Sequence, residues 1–208
     1  YSAKDGLLLS KDGTKLLAVP NDRKGTFTVP DGVTEIGDGA FQYCEQLREV
    51  ILPDGVAKIG EKAFLWNKQL NYVEIPDSVT EIGAYAFECC KDLLSVKLPK
   101  GLTEISEGLF KGSNLRTVQI PEGVTVGASA FRECKSLRSV KVGSNVTLGA
   151  NAFRLDLDSN YKSDFYKEDD TRHYFYVLTS PLKELVIGDN VTLENAAFYG
   201  ASELTSVT

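Results

Sequence analysis

Four cysteines carry the most reactive side chains in this 208-residue sequence. Cys44, Cys90 and Cys134 each lie three residues after a phenylalanine, and Cys89 directly precedes Cys90. Thiols can form disulfides, bind metals or act as nucleophiles, and the choice depends on where the fold places them. Their regular placement after phenylalanine directs attention to the repeating elements that carry them.

A second set of candidate residues lies between positions 156 and 173. The motif Asp156-x-Asp158-x-Asn160 resembles the first half of an EF-hand calcium loop. The sixth loop position, which should be glycine, is Tyr161, and the twelfth, which should be glutamate, is Lys167. We therefore expect no calcium site here. His173 has no serine or cysteine arranged as a nucleophile nearby, so we expect no catalysis there either.

The elements that position these residues come from an internal repeat. Residues 47–64 contain a leucine, a Val-x-Leu-Pro stretch, a Val-x-x-Ile-Gly stretch and an Ala-Phe pair, and this pattern returns along the chain. Successive leading leucines are 23 residues apart in the early copies and 22 apart from Leu93 to Leu115 and from Leu115 to Leu137. The seven copies begin at Lys24, Leu47, Leu70, Leu93, Leu115, Leu137 and Leu182.

Each copy opens with a short strand followed by a turn. The period of two places Val50 and Leu52 on one face and Ile51 on the other. A Pro-x-Gly turn with a positive φ angle follows, and asparagine replaces its glycine at positions 145 and 190. This substitution also creates the glycosylation patterns Asn145-Val-Thr147 and Asn190-Val-Thr192. Since the turn explains both asparagines, we expect no sugar on either.

The Ala-Phe pairs predict a stacked column of rings, because one repeat cannot bury them alone and neighbouring repeats can. Cysteines two repeats apart would then be about 10 Å apart, beyond the reach of a disulfide. We predict that Cys44, Cys90 and Cys134 are buried free thiols and that Cys89 faces outward. A column also spreads ligands along an axis, so we expect no metal site.

The pattern Leu-x-x-Val-x-Leu-Pro-x-Gly-Val-Thr-x-Ile-Gly-x-x-Ala-Phe-x-x-Cys resembles the BspA-like leucine-rich repeat family of bacterial cell-surface proteins. The resemblance implies a repeat solenoid, a leucine-rich repeat right-handed superhelix that is mostly β with short helical or 3-10 turns. It also implies a secreted or surface-anchored protein whose array serves adhesion or host-matrix binding. We expect an N-terminal β-hairpin cap over residues 1–23. Residues 24–208 should form seven repeats and a truncated eighth, with a hairpin inserted at about 155–180.

This insertion is the largest departure from the repeat, since Leu182 follows Phe153 by 29 positions where other copies use five or six. Aromatic rings beside carboxylates could bind a sugar or a protein partner. The alternative is a hairpin that packs on the solenoid as cover. The candidate binding residues in the insertion are Tyr161, Phe165, Tyr166, His173, Tyr174 and Tyr176.

The outward side chains of the repeat strands form a second candidate surface, because a sheet face is the usual ligand surface of a solenoid. The alternative is an ordinary solvated sheet face with no ligand. The candidate binding residues on this face are Tyr72, Glu74, Lys97, Arg116 and Arg138.

Composition narrows the function classes. A net charge of −6 disfavours nucleic acid, and no apolar run approaches the roughly 18 residues of a membrane span. No acid, base and nucleophile come together in the sequence, so we expect no enzyme activity and no cofactor. The hypothesis is an extracellular or cell-surface binding module for a host or matrix protein or glycan. The alternative is a structural spacer within a larger surface protein.

Overall fold

The computed structural model describes residues 1–4, 6–155, 182–202 and 204–208. Within these residues the chain forms short strands joined by turns. The strands are β1 (Ser2–Lys4), β2 (Leu7–Leu9), β3 (Lys15–Ala18), β4 (Gly25–Thr28), β5 (Glu35–Ile36), β6 (Leu47–Ile51), β7 (Lys58–Ile59), β8 (Tyr72–Glu74), β9 (Glu81–Ile82), β10 (Glu104–Ile105), β11 (Thr117–Ile120), β12 (Thr125–Val126), β13 (Ser139–Val142), β14 (Thr147–Leu148), β15 (Glu184–Ile187), β16 (Thr192–Leu193) and β17 (Ser206–Val207).

Each repeat is one coil of a solenoid, with a long strand, a turn, a short strand and an Ala-Phe segment, except that residues 93–98 of the fourth repeat form no strand. The long strands pair in parallel in the orders β4-β6-β8 and β11-β13-β15-β17. The short strands pair in parallel along β3-β5-β7-β9 and β10-β12-β14-β16. The leucine-rich repeat solenoid predicted from the sequence is confirmed. No helix in the described ranges has the length and apolar character of a membrane span.

The N-terminal antiparallel strands supply the first strands of the short-strand sheet. Strands β1, β2 and β3 pair antiparallel, and β3 then pairs in parallel with β5. The turn between β2 and β3 is fastened by Asp12, which accepts hydrogen bonds from Ser10 Oγ and from the backbone and hydroxyl of Thr14. The Ser10 bond is the main cause that lowers the pKa of Asp12. Leu16 of β3 is fully buried, so the hairpin covers the first end of the core.

The Ala-Phe pairs form the predicted column of stacked rings. Adjacent ring centroids are 4.8 to 5.5 Å apart, and the ring planes differ by 4 to 15°. Phe27 closes the column at its first end with an edge-on contact to Phe41. The spacing matches the distance between adjacent parallel strands, so ring stacking and sheet pairing set the same coil-to-coil distance. The column contains Phe41, Phe64, Phe87, Phe110, Phe131, Phe153 and Phe198.

The Ala-Phe segment is a series of tight turns where the sequence predicted short helical or 3-10 turns. The Ala63 amide donates within its own repeat to Gly60 O at 3.4 Å, whereas the Phe64 amide donates to Ala86 O of the next repeat at 2.8 Å. A helix would use every amide within its own segment, so this alternation prevents one. Lys62, with φ at 55°, also breaks helical geometry. In this detail the prediction is corrected.

The turn after each long strand occurs in two forms. The third turn residue has the predicted positive φ angle at Gly32, Gly123, Asn145 and Asn190. Gly55 and Gly101 are outside this region, so the prediction was wrong for them. The turn around Gly55 is still closed by a hydrogen bond, which Val56 N donates to Pro53 O at 3.0 Å. A turn of type I makes this bond with no positive φ angle.

Glycine after the short strand has a different role, which is to let neighbouring coils approach. A Cβ atom on Gly83 would lie 2.4 Å from Glu61 N of the preceding coil, far inside van der Waals contact. The amide of Gly83 uses this closeness to donate to Ile59 O at 2.8 Å. In the next coil the equivalent residue is Ser106, and its hydroxyl donates to Ile82 O. The Ser106 Cβ atom takes up space that Gly83 leaves empty.

Both sheets are interrupted next to this serine. The six-stranded short-strand sheet ends at β9, and β10 begins a new one. The long-strand sheet that ends at β8 is separated from β11 by residues 93–98, which form no strand. A side chain at this position does not by itself account for the break, since Glu194 occupies the equivalent position in the last coil and β16 still pairs with β14 there. The Ala-Phe segments stay connected across the break, since Phe87 N donates to Leu109 O at 2.9 Å.

Replacing Gly83 with alanine tests this close approach. Gly83→Ala should lower the free energy of unfolding by about 1 to 3 kcal/mol, because the new methyl group meets backbone atoms. Gly55→Ala is the matched control, since a Cβ atom there has nothing within 4 Å and should change stability by less than about 0.5 kcal/mol. Urea unfolding followed by circular dichroism measures both. Equal effects of the two substitutions would contradict the packing argument.

Candidate binding face

The outward side chains of the long strands form one surface, which we call the long-strand face. Register pairs Glu49 with Tyr72, and Thr117 with Ser139 and then Glu184. Side chains stand perpendicular to a sheet, so residues in register form straight columns along the solenoid. The break at residues 93–98 divides this face into an N-terminal half on β4, β6 and β8 and a C-terminal half on β11, β13 and β15.

The N-terminal half is mixed in character. Tyr72 is 48% exposed and gives this half an apolar part, while Leu94, in the break, is 40% exposed. Glu49 accepts a hydrogen bond from Thr26 Oγ1 at 2.9 Å, and Glu74 is exposed. The half therefore combines an exposed aromatic ring with carboxylates.

Lys97 lies between the two halves and is close to an acidic partner. Its Nζ atom is 4.0 Å from Asp77, and Lys100 Nζ is 3.3 Å from the same carboxylate. The contact with Lys100 is the main cause that lowers the pKa of Asp77. All three side chains are well exposed, so these ion pairs add little to stability.

The C-terminal half carries a row of cations. Arg116, Arg138 and Lys183 each directly precede a long strand, and we call these three residues the basic row. Arg138 N donates to Arg116 O at 2.8 Å and Lys183 N donates to Arg138 O at 3.0 Å, so the three residues occupy successive coils. All three are exposed, and none forms an ion pair within the described part of the chain. Lys141, three residues along the chain from Arg138 and in register with Gln119, adds a fourth exposed cation to this half.

Comparison with known proteins agrees with this architecture. The family model of the BspA type leucine rich repeat region, in 6 copies, matches residues 23–138. The chain belongs to this family. No curated protein matches the BspA-type chain in sequence.

Solved structures share the fold of this BspA-type array. A leucine-rich repeat protein of T. pallidum is 26% identical with a TM-score of 0.69, and the alignment covers 95% of this chain and 86% of that one. A leucine-rich repeat protein of Bacteroides ovatus is 26% identical with a TM-score of 0.58, over 97% of this chain and 68% of that one. The pneumococcal vaccine antigen PcpA, at 20% identity and a TM-score of 0.50, covers 94% of this chain and 37% of its own, and shows the fold alone.

The structure brings together some of the residues predicted as a binding surface and separates others. Arg116 and Arg138 are adjacent in the basic row, while Tyr72 and Glu74 are on the other half of the face. Lys183 was missed because the insertion hides the repeat, although it follows Leu182 as Arg138 follows Leu137. The predicted residues of the insertion lie outside the described residues. They are Tyr161, Phe165, Tyr166, His173, Tyr174 and Tyr176.

The cysteines of the BspA-type repeats are buried free thiols, as predicted, but they also act as hydrogen-bond donors. Cys90 Sγ donates to Phe64 O of the preceding coil at 3.3 Å, and Cys134 Sγ donates to Phe110 O at 3.2 Å. Asn67 occupies the same position in the coil before Cys90, and its Nδ2 donates to Phe41 O of the preceding coil at 2.7 Å. In these three coils a small donor thus pairs with a buried carbonyl oxygen that would otherwise keep a lone pair without a partner.

Burial also suppresses the reactivity of these thiols. It raises the pKa of Cys44 to about 11 and the pKa of Cys134 to about 12, and it raises the pKa of Cys90 still further. Cys89 is only half-buried, and its pKa is raised mainly by burial as well. Since the thiolate is the nucleophile and the metal ligand, these groups are chemically inert near neutral pH. No group of three or more potential metal-binding side chains occurs in the described residues.

Alkylation of the folded protein tests this order of accessibility. Iodoacetamide should modify Cys89 first, whereas Cys90 and Cys134 should stay unmodified until the chain unfolds. Peptide mapping by mass spectrometry over time distinguishes the sites, and Cys89→Ser should remove the fastest reaction. Modification of Cys134 as fast as Cys89 would show that the column is open to solvent.

The raised thiol pKa values also predict how stability depends on pH. An unfolded cysteine has a pKa of about 8.5, so unfolding above that pH releases protons that the folded state retains. The stabilisation is present below pH 8.5 and is lost as pH rises toward the folded pKa. Urea midpoints should therefore fall less steeply with rising pH in Cys134→Ser, which keeps a donor but removes the titrating group. Identical pH profiles would refute the argument.

Proposed function

We propose that this chain is a non-catalytic binding module of an extracellular or cell-surface protein, and that it recognises a matrix or host protein or glycan through its long-strand face. The observation that carries the proposal is the basic row. Three like charges on successive coils repel one another, and this repulsion destabilises the fold. An anionic partner would neutralise the three cations, so binding would relieve the repulsion among them.

Other parts of the chain show that charge pairing between coils is readily available to this fold. Lys15 Nζ is 2.6 Å from Glu35, and Lys58 Nζ is 2.6 Å from Glu81, both across neighbouring short strands. On the Ala-Phe segments, Lys111 Nζ is 2.9 Å from Glu88 of the preceding coil. The basic row departs from this pattern on the long-strand face. A solenoid that served only as a spacer would have no use for such a departure.

The chemistry of the described residues supports a non-catalytic role. The cysteines are largely neutral at pH 7 because burial raises their pKa values, and they already hydrogen-bond to backbone carbonyls. Membership of the BspA-type family supports a role at the cell surface. A spacer within a larger surface protein is the competing function, and the stacked phenylalanine column suits it because it makes a stiff rod.

A binding screen separates the two functions. The chain should be captured by at least one immobilised matrix protein or glycan, and Tyr72→Ala with Arg138→Ala should weaken that capture about tenfold or more. Glu104→Ala with Thr125→Ala is the control, since both residues are exposed on the short strands. Absence of capture by any surface, with a folded sample, would support the spacer.

The insertion is tested in the same screen. A variant that replaces residues 158–179 with a short linker should lose binding and keep its thermal midpoint if the insertion holds the ligand. Retained binding with a large drop in the midpoint would instead assign the insertion to packing on the solenoid.

A further inference from the structure

We propose that the basic row binds an extended anionic polysaccharide that lies along the solenoid axis across three coils. This inference rests on the proposed binding function and names its ligand class. The site consists of Arg116, Arg138 and Lys183, with Lys141 beside them. The anionic groups would be sulfates or carboxylates spaced along the sugar chain.

The backbone fixes the row in a line. Parallel pairing of β11, β13 and β15 sets the three residues one coil apart, so the row spans about 10 Å from its first to its third member. Because the positions are rigid, a ligand meets charges that are already aligned, and little ordering of the protein opposes binding. A polymer with regularly repeated anionic groups matches such a line better than a single anion does.

The charge of this surface is opposite to that of the whole chain. The protein carries a net charge of −6, yet the strands of the C-terminal half carry one carboxylate, Glu184, beside the cations. Glu184 accepts a hydrogen bond from Ser139 Oγ at 2.7 Å, and it is not within ion-pair distance of the basic row. An anionic polymer would therefore be directed to this half of the face and repelled by much of the remaining surface.

The neighbouring side chains favour a sugar over a protein partner. Protein interfaces depend on aromatic anchors that become buried, and the exposed aromatic ring Tyr72 is on the other half of the face. The exposed apolar residue next to the row is Leu94, whose carbonyl accepts a hydrogen bond from Arg116 N at 2.9 Å. Beside the basic row the outward residues are Thr117 and Gln119, both exposed. Their hydroxyl and amide groups can hydrogen-bond to sugar hydroxyls.

The row also has the chemistry that oxyanions require. Arginine presents a planar set of donors that can hold two oxygens of a sulfate or carboxylate at once. Arg116 and Arg138 supply two such groups on adjacent coils, and Lys183 supplies a point charge at the end of the row. Occupation by one polymer would satisfy all three cations together, and the contacts would reinforce one another through the shared chain.

Heparin and neutral dextran are the probes that test this assignment. The wild-type chain should bind heparin in surface plasmon resonance at about 0.05 M NaCl, and affinity should fall steeply by about 0.2 M NaCl because salt screens the contacts. Dextran should not bind. A heparin hexasaccharide should bind more tightly than a disaccharide, because only the longer chain reaches all three coils.

Two triple variants with equal change in net charge separate the basic row from general electrostatics. Arg116→Gln, Arg138→Gln and Lys183→Gln together should weaken heparin binding about tenfold or more. The control variant is Lys11→Gln, Lys24→Gln and Lys62→Gln, which removes three exposed cations outside the long strands and should weaken binding less than about threefold. Circular dichroism checks that both variants are folded.

The outcomes also separate this inference from the function on which it rests. Equal losses in the two triple variants, or no heparin binding at low salt, would overturn the basic row as a polysaccharide site. If a matrix protein or polyglutamate binds through these residues while heparin does not, the binding function stands and the ligand class is wrong. If no surface in the wider screen captures the chain, both the function and the inference fail.

Discussion

The distance between neighbouring coils is the constraint on which the rest of the structure depends. Parallel strands set this distance near 4.8 Å, and the phenylalanine rings stack at 4.8 to 5.5 Å, so sheet and core agree. Glycine permits the closest of these backbone approaches, as at Gly83. Each coil is thereby held mainly by its two neighbours, and the core becomes a continuous column with no single centre.

Most of the fold could be predicted from the sequence, because the repeated residues are the ones that set the distance between neighbouring coils. The alternation of Val50 and Ile51, the Ala-Phe pairs and the burial of Cys90 follow from a pattern that recurs along the chain. The break between the sheets was not predicted, because Leu93, Val96 and Leu98 keep the repeat pattern although residues 93–98 form no strand. Strand pairing depends on how two coils meet in space, which a sequence pattern does not contain.

The candidate site was less predictable than the fold. Arg116 and Arg138 could be placed on the outward face by periodicity, but their pairing state depends on where neighbouring carboxylates point. Lys183 was hidden by an insertion that displaces its repeat by more than 20 positions in sequence while leaving it adjacent in space. The donor role of Cys90 was likewise missed, because the sequence does not show that a phenylalanine carbonyl of the preceding coil faces this position.

The junction at Ser106 has a mechanical consequence for a solenoid that is held at both ends. Tension along the axis loads the coil-to-coil contacts in series, so the contact with the fewest backbone hydrogen bonds yields first. The junction lacks strand pairing in both sheets and is connected by its Ala-Phe segments and stacked rings. Under load the molecule would therefore open at one defined place into two intact blocks, and the basic row would remain whole within the second block.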